Sequence, residues 1–297
     1  MNLLTAAETR DNARLKQLNE RIVMNYNAAL AKTMRRYKTA FRQVELIESG
    51  KLTPPAGVDP EKWKREQINK VIQKAGVAQG LARDLAEAGQ HSNVSIKKVL
   101  AQGYADQYEA AAGTIQAEAA DVGINYSFAQ IDKRTIDVLM RQDANRPFTR
   151  LAYARSEDAE SIADRLANEF TQAALAGEGR DDLLKRIRKV VGKQAGRAER
   201  IAQTEHTRIQ SEARWNAGKD AAAKGVGVYN EWRCKMMETS RDTHKELDGQ
   251  KRMQGAEFTL SDGDHLRFPG DPFGRACNTI NCYCVLIPHV LLPGERL

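Results

Sequence analysis

Along residues 6–48 the apolar side chains fall at Leu15, Leu18, Ile22, Val23, Tyr26, Leu30, Met34, Tyr37, Phe41 and Leu46, with gaps mostly of three or four. That spacing matches the helical repeat and leaves one apolar stripe on an otherwise charged rod. A chain that begins this way must bury the stripe against other helices. The Ala, Glu, Lys, Arg and Gln richness of the first two thirds extends the same constraint. Gly50 is the expected stop. After a Pro- and Gly-bearing turn, Asp59 followed by Pro60 supplies a cap and a first helical residue for a helix over 60–74.

Further helical patterns follow over 77–88, 95–120 and 131–140. A break is expected at 123–127 and another at Asn145-Arg146-Pro147. A helix opening at Ser156 ends near Gly177 and Gly179. Asp181 then caps a short helix carrying Leu183, Leu184, Ile187, Val190 and Val191, stopped at Gly192. Its opposite face holds Lys185, Arg186, Arg188 and Lys189, a charge run that reads first as a solvated face and otherwise as candidate contacts to the phosphates of double-stranded DNA. A last helix covers 196–217.

At Gly225 the pattern changes. Residues 226–234 are β-prone, and two short extended pieces are expected at 256–260 and 265–268. The predicted fold is therefore mostly α: extended helices over the N-terminal two thirds, then a small α+β C-terminal domain of short strands. The expected boundaries are 1–125 for a helical partner-binding region, 126–155 for a connecting segment, 156–288 for the C-terminal domain and 289–297 for a tail. A piece so small and irregular buries little apolar surface alone, so closure by a metal or by the preceding helices is expected.

The 297-residue chain has a formal net charge of +7, which favours anionic partners. Its first residues lack the basic and apolar regions of a secretion signal, and no run approaches the ~18 apolar residues of a spanning helix. A cytoplasmic origin without membrane attachment is expected, where thiols stay reduced. The cysteines then point to metal or to packing. Three lie close together at Cys277, Cys282 and Cys284, and His244 precedes them. Thiolate and imidazole suit tetrahedral zinc, so these four residues are the candidate ligands; small buried thiols beside a hydrogen-bonded histidine are the alternative. Cys234 is read as filler of its strand, and His206, His265 and His289 as ordinary residues.

Glu205 falls on the apolar line of its helix, among Ala198, Ile201, Ala202, Ile209 and Ala213, so its carboxylate is expected inside and in need of a partner. Arg241, His244 and backbone donors are candidates. Glu205, Arg241 and Asp248 are read as structural polar anchors that hold the C-terminal piece to the helix. Glu205, His244, Asp248 or Asp264 around a metal would also resemble a hydrolytic site. Against an enzyme, the chain has no G-x-S-x-G, H-E-x-x-H or P-loop sequence, and no complete catalytic set is assigned.

An ordered series of features resembles one family. Arg200, Thr204 and Glu205 lie on a helix, Trp232 on a strand, and His244 shortly before Leu247-Asp248-Gly249. Phe268-Pro269-Gly270-Asp271 follows, then Asn281-Cys282-Tyr283-Cys284 near the end. From about Ser156 to Pro288 the chain resembles the phage head morphogenesis family, minor head proteins of tailed bacteriophages typified by the F protein of phage Mu. Tyr283 stands where the family usually has Arg, and Arg241 and His244 stand where many members have a cysteine pair. The resemblance implies a virion protein at or near the portal, made in the host cytoplasm. Portal, capsid and scaffold proteins would be its partners, and it would act in head assembly and in DNA packaging or delivery. Two alternatives stand beside it: a metal-dependent nuclease or toxin-like transferase built on the C-terminal domain, and a duplex DNA-binding module.

Overall fold

The computed structural model describes residues 3–128, 161–173, 175–176, 178, 180–295 and 297. The expected helix at 131–140, the break at 145–147 and the helix start at Ser156 lie outside these residues. Helices α1 (Leu3–Arg36), α2 (Lys38–Glu48), α3 (Pro60–Lys74) and α4 (Val77–Asp121) are followed by α5 (161–173) and α6 (Arg180–Ala223). The remainder carries strand β1 (Val228–Arg233), the one-turn helix α7 (Asp242–Lys245), β2 (Lys251–Met253), β3 (Phe258–Thr259) and β4 (His265–Leu266). It ends with the one-turn helix α8 (Ala276–Thr279) and β5 (Val285–Val290). The fold is thus mostly helical, with short antiparallel strands confined to the C-terminal region. Among the described residues, no helix is long and apolar enough to cross a membrane.

The described residues form two compact units. One draws on Glu20–Val94 and Arg150–Ala198, the other on Met1–Asn19, Ser95–Thr149 and Glu199–Leu297. In the first, Ile22 and Tyr26 of α1, Phe41, Val44 and Ile47 of α2, Leu81 and Leu85 of α4, and Leu166 and Phe170 of α5 are buried. The α6 stripe adds Leu183, Ile187, Val190 and Val191. Asp84 is buried here too. Burial alone would raise its pKa, but the Thr33 hydroxyl at 2.7 Å, Lys32 at 3.2 Å and Arg36 at 3.1 Å hold the carboxyl below its ordinary range. Glu48 accepts the backbone N–H of Arg180, placing a carboxylate at the positive end of α6.

Helix ends set by local chemistry fall where the sequence places them. Asp59 accepts the N–H groups of Glu61 and Lys62, and Pro60 opens α3. Gly50 and Gly123 follow helix ends with positive φ. Four expectations fail, one of them the end of the last helix, expected near 217 and found at Ala223, with Gly225 at positive φ after it. The helix over 6–48 is interrupted at Tyr37, whose φ of −103° and ψ of 21° leave the helical range. There is one helix from Val77 to Asp121, not two. Gly192 does not stop a helix, because α6 runs unbroken from Arg180 to Ala223. Its buried line continues from Val191 to Gln194, Ala195, Ala198 and Ala202, and the gain from that burial exceeds the ~1 kcal/mol an interior glycine costs.

In the second unit, β1 is the middle strand of an antiparallel sheet ordered β2-β1-β5, and β3 pairs with β4. The β1–β5 register sets Trp232 opposite Leu286 and Asn230 opposite Pro288. Strand β5 is unexpected from the sequence; its proline is tolerated because β5 lies at the sheet edge. The core joins Trp215 of α6 to Trp232, Leu247, Phe258, Leu260, Leu266, Phe268, Cys282, Cys284 and Leu286. From Glu205 to Ser211 every residue of α6 is buried, and Ala213 to Ala217 are buried save Asn216. The polar ones must therefore find partners inside.

Candidate metal centre

The C-terminal region is held to α6 by polar side chains of that helix. The Thr207 hydroxyl donates to the Cys282 carbonyl at 2.5 Å, and the Gln203 amide donates to the same oxygen at 3.3 Å. Asn281 N–H donates to the Thr204 hydroxyl at 2.9 Å. Asn281 has φ of 55°, a left-handed conformation that asparagine tolerates better than most residues. Three side chains within five residues of α6, Gln203, Thr204 and Thr207, thus fix the backbone from which Cys282 and Cys284 project.

The Leu-Asp-Gly segment positions the histidine. Leu247 enters the core, and Gly249 donates to the Trp232 carbonyl at 2.8 Å. Asp248 accepts the Cys234 N–H at 2.8 Å, closing the end of β1. One turn of helix, α7, then turns His244 inward, where its ring meets the edge of Trp232 with centroids 5.4 Å apart. His244 is 2% exposed.

His244, Cys282 and Cys284 meet there. All three donor atoms lie within 4.8 Å of one another, and all three residues are buried. The imidazole Nδ1 is 3.6 Å from Cys282 Sγ and 3.5 Å from Cys284 Sγ. A tetrahedral zinc with Zn–S of about 2.3 Å and Zn–N of about 2.0 Å separates nitrogen from sulfur by about 3.5 Å, so the spacing fits a metal between them. The Cys284 N–H also reaches Cys282 Sγ at 3.4 Å. Interaction with Cys284 holds the Cys282 thiol below its ordinary pKa; Cys284 is pushed up, by its bond to Cys282 and by burial. The imidazole Nε2 is buried without a partner among the described residues. These donors form a cluster able to hold a metal ion.

Cys277, the fourth ligand expected from the sequence, is exposed on α8, and the buried residues of that turn are Asn278 and Thr279. Cys234, read as strand filler, packs against the core that contains Cys282 and Cys284. The three expected anchors do not share a partner. Glu205 is 1% exposed and pairs with Arg208, at 2.9 Å to Nε and 2.8 Å to Nη2, three residues along the same helix. Arg241 donates to the Ile280 carbonyl at 2.5 Å, and Asp248 serves Cys234. Asp264 accepts Asn278 and the Arg275 N–H, both at 2.9 Å. Glu205, Asp248 and Asp264 stand outside the tight donor cluster.

His265 is exposed beside Thr259, and His289 stacks on Tyr229 with Glu118 at 3.4 Å and Glu231 at 3.6 Å. On α6, Lys185 pairs with Asp182 at 2.7 Å, and Arg186 is held by Glu178 at 2.6 Å and Glu169 at 2.8 Å. Arg188 and Lys189 are exposed.

One residue within the resembling series does more than its sequence suggested. Asp271 is 1% exposed and takes Arg267 by both oxygens at 2.7 Å. Before it, Gly270 has φ of 77°, and a Cβ there would sit 3.1 Å from the Arg208 backbone N and Cα. The loop lies directly on α6, and only glycine fits. Gly270→Ala is expected to cost about 2 kcal/mol from left-handed strain and the close approach together. Urea unfolding measures it; a cost near zero would mean that the loop moves off the helix freely.

The region that carries the cluster is similar to known proteins. Residues 164–287 match the family described as Phage Mu protein F like protein. Over this stretch the chain is similar to that family. The chain is 28% identical over 160 residues to Minor head protein GP7 of Bacillus phage SPP1, covering 54% of this chain and 51% of that protein. It is also 28% identical over 131 residues to NAD(+)--arginine ADP-ribosyltransferase EFV of Enterococcus faecalis, covering 44% of this chain and 26% of that protein. The chain thus spans about half of one relative and about a quarter of the other. No solved structure matches. The matched residues include the helix that carries Thr204 and Thr207, the whole of β1, and all three clustered donors.

Proposed function

We propose that the chain is a minor head protein of a tailed bacteriophage, located at the portal vertex, acting in head assembly and in DNA packaging or delivery. The observation that carries this reading is the similarity of residues 164–287 to the Phage Mu protein F like family, beside a separate similarity to a protein named as a minor head protein. The helices of residues 1–125 would be the partner-binding region for portal, capsid or scaffold proteins, joined through 126–155 to the head-morphogenesis domain at 156–288 and its tail at 289–297. The protein would assemble in the host cytoplasm and remain in the virion. Zinc is the proposed metal, since one imidazole and buried thiols suit it. It would stiffen a region whose strands are at most six residues long.

The test is assembly. Co-expressed with the portal and major capsid proteins of its own phage, the tagged chain should sediment with head particles through a density gradient. A chain that stays at the top while complete heads form beneath it would defeat the proposal. Removing the metal with a strong chelator should lower the melting temperature at neutral pH, with recovery on adding zinc back, because a ligand bound only by the folded state stabilises it.

Duplex DNA is a proposed second partner, through Lys185, Arg186, Arg188 and Lys189. Changing Lys185, Arg188 and Lys189 together to alanine should flatten the salt dependence of duplex binding by about 2.7 units of log–log slope. An unchanged slope would place the DNA contact elsewhere. A transferase remains the second functional reading, because one relative is named for that activity. Yet the shared stretch is a quarter of that protein, and here Glu205 and Asp248 already serve internal bonds. Incubation with labelled NAD and an arginine-rich acceptor separates the readings: transfer of label would favour the transferase.

A further inference from the structure

We infer that Cys234, and not Cys277, is the fourth ligand of the metal centre formed by His244, Cys282 and Cys284, an assignment that rests on the metal reading above. The sheet register supplies the first argument. Strands β1 and β5 pair Trp232 with Leu286 and Arg233 with Val285. One step further, Cys234 stands opposite Cys284, and directly opposed residues bring their Cβ atoms to about 4.5–5.5 Å. Alternation along the strand supplies the second. Cys234 follows Trp232 by two, so both side chains leave the same face of β1. That face is the one on which Trp232 is fully buried against His244.

Packing agrees. Cys234 lies against the core cluster that includes both Cys282 and Cys284. Its backbone is fixed by Asp248, four residues after His244, so one segment places both side chains. Cys234 is not among the three residues whose donor atoms cluster within 4.8 Å of one another. A change of χ1 well moves a cysteine sulfur without disturbing the backbone, and a metal would draw it inward. Cys277 has no comparable route: it is exposed, and the turn that carries it faces inward through Asn278. Asn278 is itself bound to Asp262 and Asp264, each at 2.9 Å.

The assignment decides what kind of centre this is. Three protein ligands would leave a position open for water or substrate, the arrangement of catalytic zinc. A fourth thiolate closes the tetrahedron and makes the centre structural, in keeping with a head protein and against a metal hydrolase.

The test loads the full chain and its variants with cobalt(II), whose thiolate charge-transfer absorption grows with the number of coordinated sulfurs, alongside zinc analysis and circular dichroism. The wild type should bind one metal per chain. Cys234→Ser should stay folded in zinc but lose about one third of that absorption and bind metal about tenfold or more weakly. Cys277→Ser should match the wild type in all respects. A second measurement needs no variant. In the zinc-loaded wild type, iodoacetamide should label Cys277 and spare the half-exposed Cys234, and chelation should expose Cys234 to labelling. An unaltered cobalt spectrum in Cys234→Ser, a weakened one in Cys277→Ser, or labelling of Cys234 in the zinc form would overturn the ligand assignment alone. A wild type that takes up no metal would overturn the metal reading together with it.

Discussion

Replacing Arg214 by alanine should destabilise the protein by about 3–5 kcal/mol, the range for a buried charge network that loses one member. Arg214 is 1% exposed, in the middle of α6. Its Nε donates to Gln107 at 2.9 Å, its Nη1 donates to the Leu286 carbonyl of β5 at 2.9 Å, and Glu8 lies 3.6 Å from its Nη2. Gln107 in turn donates to Asp11 at 2.6 Å. One guanidinium therefore links α1, α4, α6 and the sheet within a single unit. Burial pushes its pKa down, opposed by Glu8 and Asp11, but an arginine does not discharge under such conditions. Alanine would orphan the Gln107 carbonyl and the Leu286 carbonyl and leave buried Asp11 with less compensation. Arg214→Lys keeps the charge but cannot reproduce the fork, so it should lose less than alanine and still measurably. Guanidinium chloride unfolding gives the values. A loss below about 1 kcal/mol for alanine would mean that water replaces the side chain and that the network is not closed.

That network was invisible in the sequence for a physical reason. Arg214 stands in a helix rich in charge, and helical periodicity assigns faces without saying what will cover them. The covering elements, α1 and α4, come from positions about a hundred or more residues away. Glu205 was placed correctly inside, because its neighbours at three and four residues are apolar. Its partner was sought at Arg241 and His244, whereas Arg208 on the same helix supplies it. Helix ends at Asp59 and Gly50 were legible since one or two residues decide each. Gly192 misled because a glycine costs less than the burial that continues past it. Strand β5 was hidden by Pro288, which reads as a breaker until the strand is known to be at an edge. His244, Cys282 and Cys284 were legible as candidate ligands by chemical type. Cys234 was not, because its nearness to Cys284 comes from a strand pairing that no local pattern announces.

His206 gives the protein an acid-side weakness that should be separable from that of its carboxylates. The residue is 7% exposed on α6, and its Nε2 has no partner among the described residues. Burial, with Lys235 and Arg214 nearby, pushes its pKa down from 6.5 to about 4. The folded state therefore holds the imidazole neutral over a range in which the unfolded chain binds a proton. Stability from this group is fully present above about pH 6.5, is lost as pH falls through the interval to about 4, and changes little below that. The interval corresponds to about 3 kcal/mol. His206→Leu cannot take up the proton, so the difference between variant and wild type isolates the group while the carboxylates cancel. Unfolding free energies from urea titrations at intervals between pH 7.5 and pH 4 should show the variant gaining on the wild type by about 3 kcal/mol across that span. If the two curves run parallel, the imidazole is solvated or is protonated inside the fold. A proton there would sit beside the arginine that ties the unit together, in which case the charge balance around Arg214 would have to be redrawn with a second buried cation and its compensating carboxylates, Glu8 and Asp11.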